Sequence, residues 1–225
     1  LTALGNDFRI ISIELPFHGA HKPEGFEKSK AIAPTALAEA VQQIIKQEKL
    51  SGHTCIAYSL GARIMLNYLE HSSAYAQNII LLAPDGLKPL KWRNFATQTW
   101  LGNQLFYLTM RHPGWLLVSG NVLSAISIIP KNLNKFLQLQ LRGRQNRLRI
   151  YNTWMLLRKI HPNTVNICRQ RLNSGTRIHL IMGERDTVIP ISWAHKMRKE
   201  CPEIKFRSIA AGHLILNDKA IEEIA

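Results

Sequence analysis

The stretch Ala57-Tyr58-Ser59-Leu60-Gly61 decides how this chain reads. Just before the serine, Thr54–Tyr58 is a short apolar run of the kind that forms a buried strand. From Ser59 to Glu70, apolar residues recur at Ala62, Met65, Leu66 and Leu69, which is one face of a helix. A serine between two such elements stands on a tight turn that lifts its hydroxyl above the sheet edge. Small residues at Ala57 and Gly61 are expected there because strand and helix backbones approach closely. The Leu60 N–H, at the helix start, would point at a developing oxyanion. The pattern is short, however, and serine is also a favoured helix N-cap. Alone it leaves both readings open.

Outward from this turn the same alternation continues. Arg9–Leu15 is apolar and β-branched, and predicts a buried strand ended by Pro16. Pro16–Gly25 predicts a loop. Pro34–Gln47 carries Leu37, Val41, Ile44 and Ile45 at helical spacing. Asn78–Ala83 predicts another buried strand, closed by Pro84-Asp85-Gly86. Further on, Arg177–Met182 and Lys205–Ile209 predict strands, with a helix over Ser192–Glu200 between them. Buried strands alternating with amphipathic helices give an α/β fold, a mostly parallel sheet covered by helices on both faces.

Two later loops strengthen the catalytic reading of Ser59. Gly183-Glu184-Arg185-Asp186 follows a strand and puts Asp186 at its carboxyl end, and Gly212-His213 follows the last strand in the same way. Ligands in open parallel sheets bind at those ends. The order Ser59, Asp186, His213 is the chain order of one particular triad architecture. Ser59 needs a base to become a nucleophile. His213 can take and return its proton, and Asp186 can fix the imidazole tautomer and stabilise the imidazolium. His18 and His21 lie in a loop without metal-ligand spacing and read as turn or pocket-lining residues. Arg63 and Arg185, next to triad residues in sequence, could meet an anionic substrate or simply be salt-bridged or solvated.

With these residues in hand, the sequence resembles the α/β-hydrolase family, in particular its small members with a lid inserted after the sixth strand. Ile13–Gly19 looks like the exit of strand four, Ala57–Gly61 like the nucleophile elbow, and Ile79–Gly86 like strand six and its exit. Ile178–Pro190 resembles strand seven with the acid loop, and Lys205–His213 strand eight with the catalytic histidine. The resemblance implies Ser59 as nucleophile, Asp186 as acid, His213 as base and the Leu60 N–H as one oxyanion donor. It implies a core split over residues 1–87 and 176–225, with a helical lid over 88–175. Ala57 stands where the family usually has glycine. The strand and loop that supply the second oxyanion donor have no counterpart before Arg9, so the sequence is expected to be an N-terminally truncated fragment. Loss of one such donor costs about a hundred- to a thousandfold in rate.

Charge adds a second theme. The 225 residues include 29 Lys and Arg against 15 Asp and Glu, a formal net charge of +14. Between Gly86 and Gly183 there are 15 basic residues and no acidic one, which leaves 14 basic against all 15 acidic residues elsewhere. The excess belongs to the lid, densest over Leu139–Arg149. A solvated positive face, attraction of an anionic substrate, or rest on an anionic membrane surface would each account for it. Nucleic acid ranks last, since no recognised binding module is present. His112–Pro130, free of Lys, Arg, Asp and Glu, contains Pro113, Gly114 and Gly120 and predicts a buried or interfacial helix pair rather than a spanning helix. The three cysteines are too scattered for a disulfide framework or a zinc site.

The expected function is that of a serine hydrolase cleaving a carboxylic ester or thioester through an acyl-enzyme, without cofactor or metal. Its partner would be a small-molecule acyl substrate, and its location the cytoplasm, peripheral at a membrane through the lid. Two alternatives stand beside it: a non-catalytic or truncated relative that binds a ligand or partner, and the same triad used for non-hydrolytic or C–C cleavage chemistry.

Overall fold

A computed structural model describes residues 8–19, 27, 30–72, 76–125, 130–172 and 175–216. Four strands, β1 (Thr54–Tyr58), β2 (Asn78–Leu82), β3 (Arg177–Gly183) and β4 (Lys205–Ile209), form one parallel sheet in that spatial order. The register sets Tyr58 opposite Leu82, Leu82 opposite Ile181 and Ile181 opposite Arg207. The strand ends that carry the candidate loops are therefore level along one rim.

Side-chain alternation along the strands builds two cores. Ile79, Leu81, Ile178, Leu180 and Met182 turn to one face. There they meet Leu37 and Val41 of α1 (Pro34–Gln47), Leu66 and Leu69 of α2 (Leu60–His71), Ile167 of α8 (Thr164–Leu172) and Met197 of α9 (Ala194–Glu200). Leu82, Ile181 and Ile209 turn to the other face and close a smaller cluster with Ala83, Ala211 and Ile215. Full burial of a side chain such as Leu66, Leu81 or Leu180 contributes about 1.5–3 kcal/mol. α1 starts with proline at its first helical position, where the missing N–H has no intrahelical partner to lose.

Between β2 and β3 the chain is helical: α3 (Lys91–Gln98), α4 (Trp100–Arg111), α5 (Gly114–Ala125), α6 (Lys131–Leu141), α7 (Arg144–Leu156) and α8. Phe106, Met110, Leu141, Tyr151 and Met155 form a small core within this segment. Leu157, Ile160 and α8 instead belong to the main core, so the segment is anchored to the sheet domain at its carboxyl end. Within His112–Pro130 one helix, α5, is seen, and residues 126–129 lie outside the described set.

Three expectations need correction or completion. Arg9–Leu15 is not a strand: it is irregular, with Ile10 and Ile13 exposed. A strand exists by pairing, and β1 is the outermost strand among the described residues, with Ile56 52% exposed. Apolar, β-branched composition without a neighbouring ladder does not make a strand. The loop predicted over Pro16–Gly25 is seen as a turn over 16–19, and its remainder lies outside the described residues. The cysteine reading also changes. Cys168 of α8 and Cys201, just after α9, are bonded, with Cα atoms 5.6 Å apart. A separation of 33 residues hides the pair in sequence, and it forms because α8 and α9 pack side by side on the sheet. A loop of that length gives about 3–4 kcal/mol in the chain-entropy account of a disulfide.

Candidate active site

The turn after β1 is backbone-strained. Ser59 has φ 48° and ψ −114°, a region that costs a non-glycine residue about 1–3 kcal/mol. It is pinned from several sides. The Ser59 N–H donates to Leu82 C=O at 2.9 Å, and its own C=O accepts from Ala62 N–H and from Asp85 N–H, each at 3.1 Å. The hydroxyl does not cap α2. Its Oγ lies 3.1 Å from His213 Nε2. Leu60 opens α2, so its N–H is among those without an intrahelical acceptor. Gly61 departs from expectation. Among the described residues a Cβ built there would meet nothing within 4 Å, so close packing does not demand glycine at that point.

His213 and Asp186 come from neighbouring loops on the same rim. Asp186 Oδ1 accepts from Val188 N–H and Ile189 N–H, each at 2.8 Å, which fixes the carboxylate plane. Oδ2 lies 2.8 Å from His213 Nδ1, and the Asp186 side chain is fully buried. A carboxylate only accepts, so Nδ1 carries the proton and Nε2 turns its lone pair to the Ser59 hydroxyl. The structure thus brings Ser59, His213 and Asp186 into one hydrogen-bonded chain, and Leu60 follows Ser59 as the first residue of α2.

Several positioning groups were not singled out in the sequence. A Cβ on Gly183 would lie 2.5 Å from Gly212 O and 2.6 Å from Ala211 O, so the acid loop and the histidine loop touch backbone to backbone. Glu184 N–H to Ile209 C=O (2.9 Å) and Arg185 N–H to Ala211 C=O (3.0 Å) tie them further. A glycine ending a strand signals such an approach and could have been read. Tyr58, a variable position in the elbow pattern, donates its hydroxyl to His213 C=O at 2.8 Å, with the two rings 5.5 Å apart. Burial, helped by the negative charge of Asp186, pushes the Tyr58 hydroxyl up to about 12. Phe136 of α6 meets the His213 ring edge-on at 5.8 Å. No local pattern announces Phe136, because only the docking of the helical segment brings it there.

The remaining candidates have structural partners. Arg63 is buried and paired with Asp85, which also receives Arg93 Nη1 at 3.1 Å. Desolvation, then repulsion from Arg93, holds the Arg63 guanidinium well below its ordinary value, and desolvation brings Arg93 down to about 10. Arg185 donates to Ala210 C=O. His18 Nδ1 binds Pro16 C=O at 3.0 Å, and His21 lies outside the described residues. No group of three or more His, Cys, Asp or Glu among the described residues is arranged to hold a metal ion.

No family model and no curated protein matches this sequence. Solved structures match it in three dimensions. The esterase RhEst1 from Rhodococcus sp. ECU1013 is 14% identical at a TM-score of 0.62, covering 99% of this chain and 81% of that one. MGS-M2, an alpha/beta hydrolase enzyme from a Medee basin deep-sea metagenome library, is 12% identical at 0.60, covering 92% and 73%. The esterase EaEST from Exiguobacterium antarcticum is 16% identical at 0.55, covering 87% and 74%. Identities this low speak for architecture alone. A parallel sheet with its strained serine turn, acid loop and histidine loop on one rim, superposing on these structures over most of its length, is the α/β-hydrolase fold, and that is the fold of this chain.

Proposed function

We propose that this chain is a serine hydrolase that cleaves a carboxylic ester or thioester through an acyl-enzyme, with Ser59, His213 and Asp186 as its triad. The observation that carries the reading is the continuous hydrogen-bonded path from Ser59 Oγ to His213 (3.1 Å) and from His213 to Asp186 (2.8 Å). The fold's solved relatives include proteins described as esterases, which supports the same reaction class here.

The chemistry follows from the groups. Ser59 Oγ attacks the acyl carbon as its proton moves to His213 Nε2. Asp186 stabilises the imidazolium so formed. The tetrahedral oxyanion takes a hydrogen bond from Leu60 N–H at the start of α2, where the helix dipole also favours negative charge. Collapse expels the alcohol or thiol, which receives the proton from His213. Water then attacks the acyl-Ser59 with His213 again as base, and the acid is released. The helical segment within residues 88–175 serves as the lid, and Phe136 gives it a direct contact with the catalytic imidazole.

A fluorophosphonate probe tests this. Ser59 is expected to be labelled in the parent and not in Ser59→Ala, and short-chain nitrophenyl esters are expected to show an acyl-enzyme burst. A folded parent that neither labels nor turns over such esters overturns the reading.

A further inference from the structure

The apolar surface of α4 extends beyond its buried side onto an adjoining face. Gly102, Phe106, Thr109 and Met110 face inward and are buried. Leu101, Leu105 and Leu108, spaced i, i+4 and i+7, form a second stripe open to solvent. α5 repeats the pattern with Trp115, Val118 and Val122 at i, i+3 and i+7. These six side chains are 49–64% exposed. Each helix also carries an exposed tryptophan in its first turn, Trp100 in α4 and, within the stripe itself, Trp115 in α5. Scattered surface leucines need no explanation, but two consecutive helices with ordered exposed apolar stripes do.

The charge around these stripes has one sign. α6 presents Lys131 and Lys135 to solvent, followed by Arg142 and Arg144, and Arg111 ends α4. No acidic residue occurs anywhere between Gly86 and Gly183. We infer that the helical segment docks on an anionic lipid surface, the outer faces of α4 and α5 entering the headgroup boundary and the basic residues of α6 and its neighbours meeting the lipid phosphates and carboxylates. A bilayer is the occupant that answers both features. Exposed apolar stripes with tryptophan in the first turn of each helix suit the boundary between headgroups and acyl chains, and uniformly basic flanks suit an anionic leaflet. A second copy of this chain would bring like charge against like charge. An acidic protein would answer the lysines and arginines but not the leucine, valine and tryptophan stripes. No helix among the described residues is long and apolar enough to cross a membrane, so the attachment is to one leaflet. This inference does not rest on the catalytic reading of Ser59.

Vesicle flotation of the full chain tests it. Phosphatidylcholine vesicles with about a third phosphatidylserine are expected to carry the protein at least about tenfold better than phosphatidylcholine alone, with binding falling as salt rises. Brominated lipids in the same vesicles are expected to quench tryptophan fluorescence, a readout that needs no variant. Leu105→Asp/Leu108→Asp and, separately, Lys131→Glu/Lys135→Glu are each expected to lose about tenfold in binding with an unchanged circular dichroism spectrum. Four results overturn the inference: no flotation; equal binding to neutral and anionic vesicles; a dimer that Leu105→Asp/Leu108→Asp dissociates; or capture on polyglutamate with none on vesicles. The third assigns the face to a second copy, and the fourth to an acidic protein.

Discussion

Ile79 and Leu81 of β2 are sealed between helices, whereas Leu101, Leu105 and Leu108 of α4 lie open to water. The two halves of the molecule differ in the same way throughout. The sheet carries the large core and holds its loops by backbone hydrogen bonds, while the helical segment between β2 and β3 has a core of five buried side chains and most of the net charge. The hydrogen-bonded groups of the proposed triad, Ser59, Asp186 and His213, all stand just past the ends of strands. Groups suited to meeting a surface stand on the helices. On the two proposals above, chemistry and contact fall to separate parts of the fold, joined through the main core at Leu157, Ile160 and α8.

The sharpest way to break that division is to remove chemistry from the sheet without touching the helices. Asp186→Asn keeps the size of the side chain but lets the amide donate, which favours the wrong imidazole tautomer. On the proposed mechanism, kcat/KM for a short nitrophenyl ester falls about ten-thousandfold. Flotation on anionic vesicles stays at the parent level. Retained activity would show that the reacting groups lie elsewhere, and lost flotation would show that the two halves are not separable.

The next largest effect lies at the joint. Asp85 leaves β2, binds Ser59 C=O through its N–H, and pairs with Arg63 of α2 and Arg93 of α3. Asp85→Ala leaves two buried guanidinium groups without their carboxylate, a loss of about 3–5 kcal/mol. Thermal unfolding followed by circular dichroism is expected to drop markedly. A single cooperative transition would mean that sheet and helices unfold together, and a separate early step would sharpen the contrast between them.

The sequence disclosed the two halves unequally, and for physical reasons. β2 and β3 leave continuous apolar runs, and β1 and β4 leave short runs rich in β-branched or alternating apolar residues, so all four strands were legible almost to the residue. The candidates Ser59, Asp186 and His213 were legible because each lies in the turn or loop just after a strand. What pairing decides was not: Arg9–Leu15 has strand composition but no ladder. What packing decides was not either. Phe136 against His213, Asp85 between two arginines, and Cys168 bonded to Cys201 across 33 residues are contacts between elements whose mutual position no local pattern encodes. Gly183 was legible and passed over, since its place at a strand end is the usual sign of two backbones in close approach.

That glycine sets the third test. In Gly183→Ala the added Cβ would stand 2.5 Å from Gly212 O, a carbonyl of the backbone that cannot swing aside as a side chain could. The acid loop and the histidine loop must separate, which lengthens the Asp186–His213 contact. A displacement approaching 1 Å costs on the order of a hundredfold in rate. The loss is expected in kcat with KM nearly unchanged. An unaltered kcat would mean that the loops tolerate a spacing that this geometry does not.

The smallest effect isolates one hydrogen bond. Tyr58→Phe removes the donor to His213 C=O while keeping the ring against the imidazole, and one such bond is worth about 0.5–1.5 kcal/mol. The expected change is a small drop in stability and a several-fold drop in rate. The pH dependence gives a cleaner signature. In the fold the Tyr58 hydroxyl is pushed from the ordinary 10 to about 12, first by burial and then by Asp186. A raised value means that folding favours the protonated form, so the contribution is fully present below pH 10 and is lost as pH rises through about 12. Urea midpoints of the parent should therefore fall more steeply than those of Tyr58→Phe across that window. Parallel curves would mean that the hydroxyl is solvated and leaves His213 to the grip of its own loop. In that case the orientation of the imidazole would depend on Asp186 alone on the sheet side, and on Phe136 from the helical side.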